Sequence, residues 1–513
     1  MHQTMKKSLP AFGIIIVWLS ISFLYSRDLI FISPGDGQRD AAIITNILSG
    51  NILGDPAYAG EHAWYPFLMH IYFAVIYLFT HIPVQQLLST YIWLAPTPSI
   101  LAIALFLYTK SRSWLYVSIG LLTFLLFVPW TQELFLLNHH PFVFSLGVVC
   151  LALFTFSKAL STGRTKHFLA ASIAIALLVY SHTIAALSVC AGFVLYMIIS
   201  RKYFGKFILM ALGSFLLTLP YLWPLLSIYK LTPVNSSVYS FTGIYNVHTT
   251  AEILNAYFYG FGALRWFNSF LILIGIITTI MSKIVLNRLI LAVYFVSLLM
   301  TLPSLTYYFK IPFPFIPSFA PHDFQIFNHF VAGLLLTQGA WVGIKKIHKP
   351  IALPVFIIML SINLILIKPV YQEKLYNRHQ QLLNGNVKEA DWVAASTWIN
   401  DNAKITDVIA TTPDRSYFFV SGFTGRKVVA THNNFANAFV DQNKRLKDLY
   451  VLYSASDQEK VLQIVRQYNV LYIIASPYES AYVGVSDLKK FDTYPFLTKV
   501  FTFGTVTIYK VST

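Results

Sequence analysis

Apolar runs of bilayer-compatible length follow one another through the first 369 residues, and they dictate what this chain can become. The first is Leu9–Tyr25. Others lie near 65–80, 87–108, 114–130, 141–157, 168–180, 183–200, 207–228, 267–282, 289–303, 325–343 and 350–367. About 20 apolar residues in a helix cross the hydrocarbon layer. The pattern therefore predicts a polytopic α-helical membrane protein, and no internal repeat is visible in it.

The loops give the orientation. Lys6 and Lys7 precede the first run, which places the N-terminus in the cytoplasm and residues 27–62 outside. By position this run resembles a signal peptide, but no small-residue cleavage pattern follows it. We read it as an uncleaved first span. Basic clusters punctuate the later runs: Lys158/Arg164/Lys166, Arg201/Lys202/Lys206, Lys283/Arg288 and Lys345/Lys346/Lys349. From residue 158 onward they alternate with loops lacking such clusters, so each cluster reads as cytoplasmic and the chain after Ile367 as extracytoplasmic. Lys110 and Arg112 break the alternation if 65–80 and 87–108 are both full spans. One span is miscounted in the first third, where Pro96 and Pro98 interrupt a helix, and the expected number of transmembrane helices is 11–13. The location is the plasma membrane.

Charge divides the chain near residue 370. Of the 21 carboxylates, only Asp28, Asp36, Asp40, Asp55, Glu61, Glu133, Glu252 and Asp323 precede it. The sequence thus implies a membrane domain over 1–369, with outer loops at 27–64, 229–266 and 304–324, and a soluble domain over 370–513. Most of the net charge of +16 sits in short loops between apolar runs. That is the mark of positive-inside topology and anionic lipid contact, and it excludes nucleic acid as a partner. Cys150 and Cys190 both lie in apolar runs and read as small core residues. The Asn235-Ser-Ser triplet matches a glycosylation sequon but is common by chance.

The tail has α/β character. Ala390–Asn400 and Gln458–Gln467 have helical periodicity. Val408–Thr412 and Val470–Ala475 read as strands, and Val500–Val511 as a hairpin around Gly504.

The candidate chemistry lies in the first outer loop, where five of the eight early acids crowd between residues 28 and 61. Ser33-Pro-Gly-Asp-Gly-Gln-Arg-Asp40 leads into a helical Ala41–Leu48 and a Ser49-Gly50 turn. Asp55-Pro56, Glu61-His62 and Trp64-Tyr65-Pro66-Phe67 follow. Asp36 and Asp40 share a face if the helix begins near Asp36; Asp36 serves equally well as its N-cap. A solvated loop needs polar residues, and that alone accounts for some of these acids. A carboxylate at the membrane surface also suits general base catalysis on an acceptor hydroxyl.

An Asp after the first span, an amphipathic helix closed by Ser-Gly, and a Tyr-Pro opening the next apolar run together resemble the GT-C superfamily of polyprenyl-phosphate-dependent glycosyltransferases. Within it the chain is distantly like oligosaccharyltransferase catalytic subunits and lipid/protein O-glycosyl and aminoarabinose transferases. The resemblance is strongest over 33–70. Weaker echoes lie at Ser181-His182-Thr183, Trp392–Asn402 and Thr424-Gly425-Arg426. It implies a GT-C-like membrane body with a C-terminal extracytoplasmic α/β domain, and an inverting transfer of sugar from a polyprenyl-phosphate donor to a glycan, lipid or protein acceptor. It further implies Asp36 as the catalytic base with Asp40 as the alternate. The donor phosphate needs cationic partners, for which Arg39, Arg265, Lys310 and His322 are candidates.

Oligosaccharyltransferases use further acids to hold a divalent metal and carry a Trp-Trp-Asp sequence, which is absent here. Glu133, His139 and His140, with Asp55 and Glu61, are candidates for acceptor contact or for a metal. No cofactor is certain, and a divalent metal is one option. His182 either serves function within the membrane or closes a turn between two spans. Two other classes compete with an enzyme: a transporter or flippase for lipid-linked saccharides, and a non-catalytic envelope-assembly protein. Acids kept in outer loops and the lack of repeats favour the enzyme.

Overall fold

The computed structural model describes residues 2–27, 36–126, 141–234, 257–258, 264–302, 321–346, 358, 390–432 and 435–512. Its chain forms two compact units. One comprises Met1–Ser26, Ile92–Leu219 and Tyr239–His379; the other comprises Arg27–Tyr91, Pro220–Val238 and Gln380–Thr513.

The first unit is helical throughout its described residues. By length and composition four helices of the chain suffice to cross a membrane: Ile92–Ser111, Pro141–Thr162, Thr183–Ser200 and Phe204–Ser227. The chain's shorter apolar helices are Ser8–Leu24, Trp114–Leu125, Thr165–Ser181, Arg265–Met281 and Val285–Thr301, and, in the second unit, Leu68–Thr80. Prolines set one boundary as the sequence suggests. The run at 87–108 is broken, and its regular helix is Thr97–Ser111, with Pro96 as N-cap and Pro98 in the first turn, where a missing N–H costs nothing. His182 has extended backbone between Thr165–Ser181 and Thr183–Ser200. It closes the turn there and sets its ring edge-on to Phe142 at 5.0 Å.

The hydrophobic effect does not drive helices together in lipid, so the close van der Waals packing that small residues allow matters more. Leu264–Met281 and Pro321–Lys346 meet in this way. A Cβ on Gly275 would lie 2.0 Å from the Leu335 carbonyl oxygen, and one on Gly339 would lie 1.9 Å from that of Leu271. Phe156 stacks on Phe193 at 4.2 Å within the same core.

The second unit contains a five-stranded sheet in the order β2-β1-β3-β5-β4, built from β1 Val408–Ala410, β2 Lys427–Val428, β3 Val470–Ala475, β4 Leu497–Phe503 and β5 Val506–Val511. β1 runs parallel to β2 and β3, whereas β5 is antiparallel to β3 and β4. The β4–β5 hairpin turns at Gly504, whose φ is +54°. Helices Ala390–Asn402, Gln442–Ser454 and Gln458–Tyr468 pack around this sheet. Arg426 joins the two tail segments singled out from the sequence. Its guanidinium donates to the Ala403 and Asn400 carbonyls and to Asn400 Oδ1, so it caps the C-terminal end of Ala390–Asn402.

Gly339→Leu is expected to force Leu264–Met281 and Pro321–Lys346 apart, at a cost of about 1–3 kcal/mol. The unfolding midpoint of the detergent-solubilised protein, followed by intrinsic fluorescence, should drop by several degrees. Gly343→Leu, where a Cβ meets nothing within 4 Å, should leave it nearly unchanged.

Candidate active site

The candidate chemistry is carried by the helix Asp36–Leu48 and what surrounds it in the second unit. The helix begins at Asp36 and ends in the expected Ser-Gly turn: Ser49 Oγ donates to the Asn46 carbonyl, and Gly50 takes φ +86°. The following Trp64-Tyr65-Pro66-Phe67 leads directly into the helix Leu68–Thr80.

Arg39 organises the first turn. Nη1 lies 2.9 Å from Asp36 Oδ1, and Nη2 lies 3.3 Å from Asp40 Oδ1. The guanidinium sits over the Tyr65 ring, 3.9 Å from its centroid. Burial opposes the charge on Arg39, yet Tyr65, Asp36, Asp40 and Tyr417 together outweigh it and hold the guanidinium protonated. Asp40 Oδ1 also meets His70 Nε2 at 2.9 Å. The two carboxylates thus bind one cation from one helix face, as their spacing suggests, but their exposures differ sharply. The Asp36 side chain is 33% exposed; those of Asp40 and His70 are 0% exposed. Asp36 can meet a ligand from solvent, whereas Asp40 is enclosed by its partners.

Asp55 and Glu61 have other surroundings. Asp55 Oδ1 accepts from the Ala57 and Tyr58 amides at 2.7 and 2.8 Å, and its Oδ2 accepts from Asn437 Nδ2 at 2.9 Å. Burial pushes this carboxyl up from its ordinary value against those hydrogen bonds and the nearby Lys427. Glu61 accepts from the Tyr229 hydroxyl at 2.9 Å and faces Arg445 Nη2 at 3.7 Å. Both acids thus shape the hairpin in which Gly54 pairs with His62.

Lys427 fastens this hairpin to β2. Its ammonium is buried and donates to Asn46 Oδ1 at 2.8 Å, to the Asp55 carbonyl at 2.7 Å and to the Pro56 carbonyl at 3.3 Å. The Val428 amide donates to the Ala57 carbonyl at 2.8 Å beside it. The Tyr58 hydroxyl bonds Thr431 and Gln442. The segment Gly422–Gly425 presses on the Asp36 helix so closely that a Cβ on Gly422 would lie 2.9 Å from the Gln38 carbonyl oxygen.

Arg265 lies in the first turn of Leu264–Met281 and is half-buried. His322 lies in the helix Pro321–Lys346, but its side chain is outside the described residues, as are Lys310, Glu133, His139 and His140 altogether. Among the described residues no group of three or more His, Cys, Asp or Glu stands where it would hold a metal. Between Asp36 and Asp40 the cation position is taken by Arg39, so that pair does not fit a metal.

Sequence reasoning missed His70, Lys427 and Asn437. His70 carried a signal, as a lone ionisable residue in the apolar run Phe67–Leu78.

No protein-family model matches the sequence, and no curated protein matches it. Solved structures do match the fold. ArnT from Cupriavidus metallidurans bound to undecaprenyl phosphate is similar with a TM-score of 0.53 at 11% identity, over 97% of each chain. The archaeal oligosaccharyltransferase AglB from Archaeoglobus fulgidus, in complex with an inhibitory peptide and a dolichol-phosphate, is similar with a TM-score of 0.51 at 13% identity, over 91% of this chain and 69% of that one. The distant GT-C resemblance therefore holds at the level of fold: a polytopic helical membrane protein with a C-terminal α/β domain.

Burial lowers the Lys427 ammonium to about 8, with Asp55 opposing. Lys490, which donates to the Tyr453 and Ala455 carbonyls, is also lowered by burial to about 8. An unfolded lysine keeps its proton to about 10.4. Between pH 8 and about 9 these lysines bind more protons in the unfolded chain than in the folded one, so their contribution to stability rises with pH. The thermal midpoint of wild-type protein should rise from pH 8 to about pH 9, below the range in which unfolded tyrosines ionise, and Lys427→Met should make that rise shallower. An unchanged slope would contradict the burial of the Lys427 ammonium.

Proposed function

We propose that this protein is a membrane glycosyltransferase that moves a sugar from a polyprenyl-phosphate donor to a hydroxyl-bearing acceptor on the extracytoplasmic face, with Asp36 as the general base. The observation that carries this reading is the partly exposed Asp36 carboxylate, fixed by Arg39 at the start of its helix, in a fold shared along nearly the whole chain with ArnT bound to undecaprenyl phosphate.

The chemistry balances simply. Asp36 takes the proton of the acceptor hydroxyl as its oxygen attacks the anomeric carbon. The bond from that carbon to the phosphate oxygen breaks, and its electron pair leaves with the phosphate. The products are an inverted glycoside and free polyprenyl phosphate. The lipid phosphate is already a good leaving group, so the enzyme chiefly positions the reactants and stabilises charge. The leaving phosphate needs cationic partners other than Arg39, whose guanidinium is engaged by Asp36, Asp40 and Tyr65. The acceptor is a glycan, lipid or protein.

Counting crossings supports this sidedness. Leu68–Thr80 has 13 residues, about 20 Å against a hydrocarbon layer of about 30 Å. It stops at His81, which takes a left-handed φ of 54°, and Pro83 follows. Trp114–Leu126, equally short, stands in an apolar run that continues to 130. If the helix at 68–80 does not cross, Ile92–Ser111 is the second crossing, and Lys110 and Arg112 return to the side of Lys6 and Lys7. The apolar runs then make an odd number of crossings, and the tail lies opposite the N-terminus, in agreement with the positive-inside rule.

Purified wild-type protein, given a panel of isotope-labelled polyprenyl-phosphate sugars and a membrane fraction as acceptor, should release polyprenyl phosphate and move label into the acceptor fraction. Asp36→Asn should lower the rate by at least about 10²-fold while its thermal midpoint stays close to wild type. Transfer at the wild-type rate by Asp36→Asn would remove Asp36 as the base. Topology is checked separately in a background lacking Cys150 and Cys190. A membrane-impermeant maleimide should label Asp414→Cys in intact cells and Arg112→Cys only after permeabilisation.

A further inference from the structure

We propose that Asp40 and His70 are positioning residues which act through Arg39 to set the Asp36 carboxylate. This rests on the reading of Asp36 as the base. Four groups form a chain of contacts running inward: Asp36 to Arg39 at 2.9 Å, Arg39 to Asp40 at 3.3 Å, and Asp40 to His70 at 2.9 Å. Exposure falls along it, from 33% at Asp36 to 6% at Arg39 and 0% at Asp40 and His70. The inner two cannot touch a substrate from solvent. Their influence passes through the guanidinium.

The geometry explains why an inner pair is needed. Arg39 has a long, flexible side chain, and a lone ion pair with a partly exposed carboxylate would be a weak restraint. A guanidinium is planar and presents its N–H groups in a fixed fork. With Nη2 held by Asp40 and its face laid on Tyr65, the direction of Nη1 toward Asp36 is determined. His70 holds Asp40 in turn, and it comes from a different helix, Leu68–Thr80. The Asp40–His70 contact therefore ties the rotation of the Asp36 helix to its neighbour. Tyr65, edge-on to the His70 ring at 6.3 Å, closes the cluster. A base must stand within hydrogen-bonding reach of the proton it takes, and about 1 Å of displacement can cost on the order of 10² in rate.

The test compares His70→Leu, which removes the Nε2 contact, with His70→Gln, whose side-chain amide retains a donor at similar reach. Asp40→Asn is the second variant, should His70→Leu fail to fold. With the labelled polyprenyl-phosphate sugar that wild type uses, His70→Leu and Asp40→Asn should lower kcat by about 10²-fold and leave KM within about twofold. His70→Gln should recover most of kcat. A second measurement needs no substrate: the rate at which a water-soluble carbodiimide modifies Asp36 at fixed pH, read by peptide mapping. It should rise about threefold in His70→Leu and Asp40→Asn as Asp36 is released from its ion pair, and return to the wild-type rate in His70→Gln. Equal Asp36 labelling in wild type and every folded variant would overturn the proposal, as would a loss expressed in KM with kcat intact. If Asp36→Asn itself transferred sugar normally, the functional reading would fall, while the labelling rates would still decide whether Asp40 and His70 hold Asp36.

Discussion

The buried ammonium of Lys427 is the point on which the second unit depends. It comes from β2, near the end of the chain, and binds Asn46 at the end of the Asp36 helix and the carbonyls of Asp55 and Pro56 in the hairpin. A buried charge is tolerated only when its hydrogen bonds are met, and here all three acceptors belong to residues 46–56. Lys427 makes the early loop and the late sheet one folding problem. Asn437 repeats the arrangement, donating to Asp55 Oδ2 and to the His62 carbonyl. Removing one member of such a set leaves several buried groups unpaired, and each costs about 1–3 kcal/mol. The tail is accordingly a scaffold for the loop that carries Asp36.

Two carboxylates one helical turn apart receive opposite roles from their neighbours. Asp36 and Asp40 bond the same guanidinium, yet one stands partly open and the other fully enclosed. The helix itself treats them alike. The difference lies in the partners: His70 meets Asp40 from the neighbouring helix. Under the proposed mechanism, a carboxylate that takes a proton from a substrate needs access, and one that fixes an arginine needs enclosure. Both needs are met within one turn because tertiary packing covers only one of the two positions.

What the sequence made legible was periodic or local. Apolar runs located the helices, because bilayer thickness imposes a length that composition reveals. The start of the helix at Asp36, its Ser-Gly end, the strand at Val470–Ala475 and the hairpin at Gly504 were readable, since turn chemistry and alternation act over a few residues. The proline interruption at 96 and 98 was readable for the same reason. The partners were not. Asp40 meets His70 thirty positions on, and Lys427 reaches back more than 370. No local pattern encodes such pairings. Asp55 shows the cost of that: it lay in the acid-rich loop with the other candidates, but its hydrogen bonds to the Ala57 and Tyr58 amides are those of a turn-forming aspartate.

The short helix Leu68–Thr80 connects the two kinds of information. As an apolar run it resembles a membrane span, and as a structural element it falls short of one by about 10 Å. Its buried His70 gives it a different use. A crossing helix can slide and rotate until its apolar surface matches the lipid. A helix carrying a fully buried imidazole bound to a carboxylate has one rotation available, since any other breaks that contact and leaves the imidazole buried without it. The buried polar residue therefore makes the helix a rigid support for the one beside it. That support is what lets a partly exposed aspartate keep a fixed direction at the edge of a fold whose other helices are dominated by apolar contacts.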